Sequence, residues 1–88
     1  MTREPPRDSE TLALSALAAT LGDERRAARF LDMTGLSPDG IRDRLGDPGL
    51  LASCLAFLEN YEPDLIAVAS DIGVKPEELV AARSELEA

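Results

Sequence analysis

The chain has 88 residues, a formal net charge of -8 and no histidine, and these bulk properties exclude several classes of protein. A chain this short forms one domain at most and buries only about 60 to 65% of its unfolded surface, so it would gain stability from a partner or a second copy. The acidic excess disfavours a general nucleic-acid binder and a protein of anionic membrane surfaces, because both need clustered Lys and Arg.

Cysteine usage and the length of the apolar runs indicate the cellular setting. Cys54 is the single cysteine and has no partner within the chain for a disulfide, which fits a reducing compartment. The longest apolar run, Gly49 to Leu58, is about half the roughly 20 residues that a membrane-spanning helix needs, and the first ten residues are too polar for a signal peptide. We predict a soluble cytoplasmic protein with a disordered lead at residues 1–7 and a single helical domain at residues 8–88.

Capping residues divide the first half of the chain into three predicted helices. Leu and Ala, which are strong helix formers, dominate the composition, whereas the residues that favour strands are sparse. The first helix begins near the Asp-Ser pair at residues 8–9 and stops at Gly22. The second follows the cap Asp23 and ends at Gly35 in a left-handed conformation. The third covers residues 38–45 and begins with a Ser-Pro pair, a common helix start.

The same pattern of caps and stops predicts three helices in the second half, over residues 48–60, 63–72 and 76–87. The fourth helix, Pro48 to Asn60, is apolar around nearly its whole circumference, which is typical of a helix that is buried on all sides. We therefore predict an all-α fold, a compact bundle of five or six short helices around this central helix.

The two halves of the chain resemble each other when one is shifted by 38 residues. Gly35 then aligns with Gly73 and Pro38 with Pro76. Both pairs lie at a turn between two predicted helices, where glycine ends one helix and proline begins the next. The pattern predicts two pseudo-repeated three-helix units, over residues 8–45 and 46–83. The alternative is that helical hairpins in general share this placement of Gly and Pro, without a duplication. The halves differ in charge: the first 45 residues carry a net charge of -1 and the remaining 43 a net charge of -7.

Apolar residues at helical spacing predict the buried core. In the first helix, Leu14, Leu17, Ala18 and Leu21 follow the i, i+3, i+4, i+7 pattern of one buried stripe. The full predicted core is Leu14, Leu17, Leu21, Phe30, Leu31, Ile41, Leu45, Leu51, Leu55, Phe57, Leu58, Leu65, Ile66, Val68, Ile72, Leu79 and Val80.

The two Gly-containing corners resemble the helix-turn-helix of bacterial regulators, whose second helix enters the DNA major groove. Such a helix presents Arg, Lys, Asn or Gln from its first turn. The first turns here carry Asp39 and Gly40, or Glu77 and Glu78, which oppose phosphate. Nucleic acid is therefore a disfavoured partner, and these corners are interpreted as packing elements.

Five arginines in the first half form the candidate interaction surface. Arg25 and Arg29 share one helix face at i, i+4 spacing, where they could bind a carboxylate or a phosphate. The alternative is that these side chains pair with neighbouring acids on a solvated face. The members of the candidate surface are Arg25, Arg26, Arg29, Arg42 and Arg44.

Residue types that support catalysis are scarce. Without histidine, imidazole-based triads and metal sites are absent, and Cys54 lies in an apolar segment where burial makes a thiol inert. We predict a protein that is not an enzyme and has no cofactor or metal. The leading hypothesis is an acidic protein-protein interaction or adaptor module with an unknown protein partner, or one that self-associates as a homodimer. The alternative is a regulator that contacts nucleic acid through its Arg-rich half.

Short motifs in a fixed order give the chain a family resemblance. They are "RFL" at residues 29–31, "TGL" at residues 34–36 followed by Pro38, the pair Asp47 and Pro48, and finally Gly73, Val74, Pro76 and Glu77. In this order the chain resembles a bacterial family of short proteins, domain of unknown function family 3572, over about residues 12–83. The resemblance implies an all-helical fold and a bacterial cytoplasmic setting, and it implies no activity and no site residue.

Overall fold

The computed structural model describes residues 8–88, and within this range the chain forms six helices and no strand. The predicted all-α bundle is therefore confirmed. The predicted lead at residues 1–7 lies outside the described residues, and the assignment of residues 8–88 to a single domain stays a prediction. The helices are α1 (Ser9–Leu21), α2 (Glu24–Thr34), α3 (Pro38–Asp43), α4 (Pro48–Glu59), α5 (Glu62–Ile72) and α6 (Pro76–Glu87).

Local hydrogen bonds explain where most of the helices begin. The side chain of Asp23 accepts a hydrogen bond from the backbone N–H of Arg26 at 3.0 Å, and the caps before α1, α3 and α4 accept equivalent bonds. Each such bond satisfies an amide that the first helical turn leaves without a partner. Gly35 and Gly73 end α2 and α5 with φ values of 72° and 77°, a left-handed conformation that glycine adopts without a steric penalty.

The third helix is shorter than the sequence predicts, because it ends at Asp43 and not at Leu45. The backbone N–H of Arg44 donates to the carbonyl of Ile41 at 2.9 Å, and that of Asp47 donates to the carbonyl of Arg44 at 2.9 Å. These tight i→i+3 bonds close the helix and turn the chain towards α4.

Four helices, α1, α4, α5 and α6, pack on one another to form the body of the protein, and α4 contacts the other three. α4 contributes more buried residues than any other helix, which confirms its predicted central position. By contrast, α2 and α3 lie at the side of this body and each buries one residue, Phe30 on α2 and Ile41 on α3. The buried residues of α4 are Leu50, Leu51, Ala52, Cys54, Leu55 and Leu58.

The predicted core is wrong at five positions that are more than a third exposed. On α1 the predicted stripe is correct at Leu17, which is buried, but wrong at Ala18, which is exposed. The buried face of α1 contains the small residues Ala13 and Ala16, which let neighbouring helices approach closely. Thr20 is also buried, because its hydroxyl donates to the carbonyl of Ala16 at 2.8 Å. The five exposed residues are Leu14, Leu21, Leu45, Ile66 and Val80.

The helix boundaries of the two halves correspond closely after a shift of 38 residues. α2 (Glu24–Thr34) maps onto α5 (Glu62–Ile72) with both ends in register, and α3 and α6 begin at Pro38 and Pro76. α3 has 6 residues, however, whereas α6 has 12. The duplication itself stays a prediction, but the short α3 leaves part of the first half less covered than the second.

In residues 8–88 no helix has both the length and the apolar character needed to cross a membrane.

Candidate functional site

The structure distributes the five arginines of the candidate interaction surface and does not gather them in one patch. Arg25, Arg26 and Arg29 lie on α2, Arg42 lies on α3, and Arg44 follows the end of α3. Their surroundings differ: the side chain of Arg26 is 13% exposed, whereas that of Arg42 is 72% exposed. The functional role of this surface stays a prediction, but the individual contacts show what each side chain does in the fold.

Arg26 joins α2 to the body of the protein. Its guanidinium lies 3.5 Å from the carboxylate of Asp71 on α5 and donates to the backbone carbonyl of Ala19 on α1 at 3.4 Å. A side chain that is almost fully covered and that contacts two other helices is poorly placed to receive a partner. We therefore interpret Arg26 as a structural residue.

Arg29 is held by a carboxylate and by two aromatic rings. It forms an ion pair with Asp64, in the first turn of α5, whose side chain is only 12% exposed. The guanidinium carbon also lies 5.7 Å from the centre of the Phe57 ring and 5.2 Å from that of Tyr61, distances at which a cation is attracted to a ring face. Arg29 thus connects α2 to the end of α4 and the start of α5.

Substitution of Asp64 by Ala is expected to lower the free energy of unfolding by about 1 to 2 kcal/mol, because it leaves the half-buried Arg29 without its charged partner. Urea denaturation followed by circular dichroism measures this change. The matched control is Asp39→Ala, which removes an exposed carboxylate from an ion pair with Arg42 and should cost no more than about 0.5 kcal/mol. Equal effects of the two substitutions would show that Arg29 does not hold α2 in place.

The remaining three arginines are more available to solvent. Arg42 pairs with Asp39 of the same helix at 3.0 Å, and both side chains are largely exposed. Such a pair contributes little to stability and exchanges readily with solvent. Arg25 and Arg44 form no salt bridge with another residue of the part of the chain that the structure describes.

A solvent-facing apolar cleft lies where the end of α1 meets α2 and α3. Its volume is about 300 Å³, at the lower end of the range for ligand pockets. Leu21 and Leu45, two of the residues wrongly predicted to lie in the core, face this cleft with 37% and 38% of their surface exposed. The residues that line it, hereafter the α1–α3 cleft, are Leu21, Ala27, Leu31, Pro38, Ile41, Arg42 and Leu45.

The second half of the chain has charged residues at the positions that correspond to the two exposed leucines. A shift of 38 residues takes Leu21 to Glu59 and Leu45 to Arg83. Glu59 and Arg83 form a two-pronged ion pair with distances of 2.5 and 3.0 Å, and this pair raises the pKa of Arg83. The second half therefore joins its helices by a polar contact at positions where the first half exposes two apolar side chains.

The comparisons with known proteins identify the family of the chain but no function. A family model described as protein of unknown function (DUF3572) matches residues 6–88, nearly the whole chain. The chain belongs to this family. The predicted resemblance is thus confirmed, whereas the bacterial origin stays a prediction. No curated protein and no solved structure matches this DUF3572 member.

The thiol of Cys54 in this DUF3572 member has low reactivity. Cys54 is fully buried, with its sulfur 3.7 Å from the hydroxyl of Thr20. Burial raises the pKa of the thiol from 9.0 to about 11, which lowers the fraction of reactive thiolate at neutral pH by about a hundredfold. Within residues 8–88, no group of three His, Cys, Asp or Glu side chains is placed to hold a metal ion.

Proposed function

We propose that this protein is a small non-enzymatic protein-interaction module that binds a protein partner at the α1–α3 cleft. The observation that carries the proposal is the exposure of Leu21 and Leu45 in one apolar concavity. Exposed apolar surface that is gathered in a concave patch is typical of a binding site, whereas single exposed apolar residues are common on any protein. A partner that covers the cleft would remove this apolar surface from water.

Other features support an interaction module over an enzyme. The chain lacks histidine, and the raised pKa of Cys54 makes its thiol a poor nucleophile. The short chain also gains from additional burial against a partner. We place the protein in the cytoplasm, because its single cysteine has no disulfide partner within the chain.

The experiment that tests this function is affinity capture of the full chain from its native cell, followed by mass spectrometry and by a binding measurement with the purified partner. The matched control is the double variant Leu21→Glu with Leu45→Arg, which places at the cleft the two charged residue types found at the corresponding positions of the second half. Because both leucines are partly exposed, this variant should fold. A specific partner that the variant no longer binds supports the proposal. The absence of any partner, together with a monomeric mass at high micromolar concentration, would contradict it.

The alternative function, contact with nucleic acid through the five arginines, stays a prediction. Arg26 and Arg29 are already paired with Asp71 and Asp64, which reduces the positive charge that is free to contact phosphate. A gel shift at about 50 mM salt, where electrostatic binding is strong, tests this alternative.

A further inference from the structure

We infer that the occupant of the α1–α3 cleft is an amphipathic helix of a partner protein, with apolar residues facing Leu21 and Leu45 and a carboxylate facing Arg42. This inference rests on the proposed function and deepens it, because it specifies the secondary structure and the charge of the partner. Two sets of observations support it: the spacing of the apolar residues, and the charge of the cleft and of its surroundings.

The shape of the cleft fits a helix. On α2, Ala27 and Leu31 are four residues apart and form an apolar ridge along one side of the cleft. Ile41 of α3 and Leu45, which follows the end of α3, also line the cleft. A groove beside such a ridge is a surface into which the ridge of another helix packs. Amphipathic helices use this mode when they bind apolar grooves, with anchor residues at i, i+3, i+4 and i+7.

The difference between the two halves supports the same occupant. α6 has twice the length of α3, and its second half places Ala82 and Leu86 against the core of the body. The first half ends its third helix at Asp43 and has no equivalent turns. A helix supplied by a partner would therefore add apolar side chains to the half of the protein that lacks them.

The charge of the cleft favours an acidic helix. Arg42 is the one charged residue among the seven that line it, and its side chain is 72% exposed. Its present partner, Asp39, is 85% exposed, so exchanging this carboxylate for one from another protein costs little.

The distribution of charge along the chain also favours an acidic helix over a basic helix at the cleft. Residues 23–45, which contain α2 and α3, carry five Arg and five acidic residues and are neutral, whereas residues 46–88 have a net charge of -7. An acidic helix is repelled by residues 46–88 but not by residues 23–45, so this repulsion favours its binding at the part of the chain that contains the cleft. A basic helix would be attracted to the acidic second part instead.

The test compares two synthetic helical peptides of about 18 residues, a length at which an isolated helix begins to be stable. Both peptides carry Leu at the same positions on one face and Ala on the opposite face. The positions between these two faces carry Glu in one peptide and Lys in the other. Binding to the full chain is measured by fluorescence anisotropy in about 150 mM salt, where charges more than about 8 Å apart are screened. Amide chemical-shift changes in NMR spectra locate the bound peptide.

We expect the Glu peptide to shift the amides of Leu21, Leu31 and Leu45. The variant Arg42→Glu should weaken its binding by about 1.5-fold to fivefold, which is the range for one exposed ion pair, and should strengthen binding of the Lys peptide at the same amides. The double variant Leu21→Glu with Leu45→Arg should weaken binding of the Glu peptide by more than about tenfold, because it removes the apolar contacts. Unchanged amide spectra away from the substituted residues show that each variant is folded.

Three results would overturn the inference. The first is binding of the Glu peptide that Arg42→Glu leaves unchanged, and the second is equal or tighter binding of the Lys peptide at the cleft of the unmodified chain. The third is a homodimer that the double leucine variant dissociates, since a second copy would then occupy the cleft. A native partner that still binds Arg42→Glu with unchanged affinity, but not the double leucine variant, would leave the proposed function standing and would overturn only the acidic character of the partner.

Discussion

Substitution of Leu55 by Asp is expected to unfold the protein. Leu55 is completely buried in α4, the helix that contacts α1, α5 and α6. A charge placed there has no partner and costs several kcal/mol, which is comparable to the whole stability of about 5 to 10 kcal/mol expected for a domain of this size. Thermal melting followed by circular dichroism should show no cooperative transition.

The matched control for this prediction is Ile66→Asp. Ile66 lies on α5 and was also predicted from the sequence to be in the core, but the structure leaves half of its surface exposed. The same apolar-to-acidic change should therefore cost no more than about 1 kcal/mol and should preserve a cooperative melt. A melt of Leu55→Asp that equals that of the unmodified chain would contradict the central position of α4.

Substitution of Phe30 by Ala is expected to lower the free energy of unfolding by about 3 to 5 kcal/mol, as is typical for removal of a buried aromatic side chain. Phe30 is the one fully buried residue of α2, and its ring lies edge-on to that of Phe57 with 5.3 Å between the ring centres. Its loss removes the main apolar contact of α2 with the body. Urea denaturation measures the global change, and hydrogen exchange should show that the amides of α2 lose more protection than those of α4.

Met33→Ala is the control on the same helix. Met33 is 51% exposed, and its truncation should change the free energy of unfolding by no more than about 0.5 kcal/mol. If Phe30→Ala were equally mild, α2 would be held mainly by its ion pairs with Asp64 and Asp71, and the apolar anchor would be of minor importance.

The substitutions on α2 and the proposed interaction concern different sides of this helix. One side of α2 is tied to the body by Phe30, Arg26 and Arg29. The neighbouring side, with Ala27 and Leu31, faces the cleft. Leu31 also packs against the core, but the cleft residues substituted in the binding tests, Leu21, Arg42 and Leu45, do not lie on α2. Variants of the cleft can therefore test binding without removing the contacts that position this helix.

For the candidate interaction surface, residue types predict where the arginines lie in the chain but not which residues they contact. The sequence locates the arginines, and its caps and stops correctly predict the helix α2, on which Arg25 and Arg29 lie at i, i+4 spacing. It does not show that Arg29 pairs with Asp64, because the two residues are 35 positions apart and meet only when α5 packs beside α2. The cleft could not be predicted either: Leu21 and Leu45 have the pattern of core residues, and the tertiary packing decides whether another helix covers them.

What the sequence by itself determined was an all-α bundle of five or six helices, most of the helix ends and the central position of α4. The helix ends depend on contacts within a few residues, such as the bond from Arg26 to Asp23 and the left-handed glycines at positions 35 and 73, so the type and position of the capping residues are sufficient to predict them. The position of α4 follows from the apolar character of nearly its whole circumference.

Only the tertiary structure decided which face of each helix is buried. On α1, Leu or Ala occupies most positions from Leu12 onwards, so more than one apolar stripe satisfies the helical period. The stripe that contains Ala13 and Ala16 is buried because small side chains let other helices pack closely. The same competition for contacts left Leu21 and Leu45 outside the core, in the cleft that we propose as the binding site.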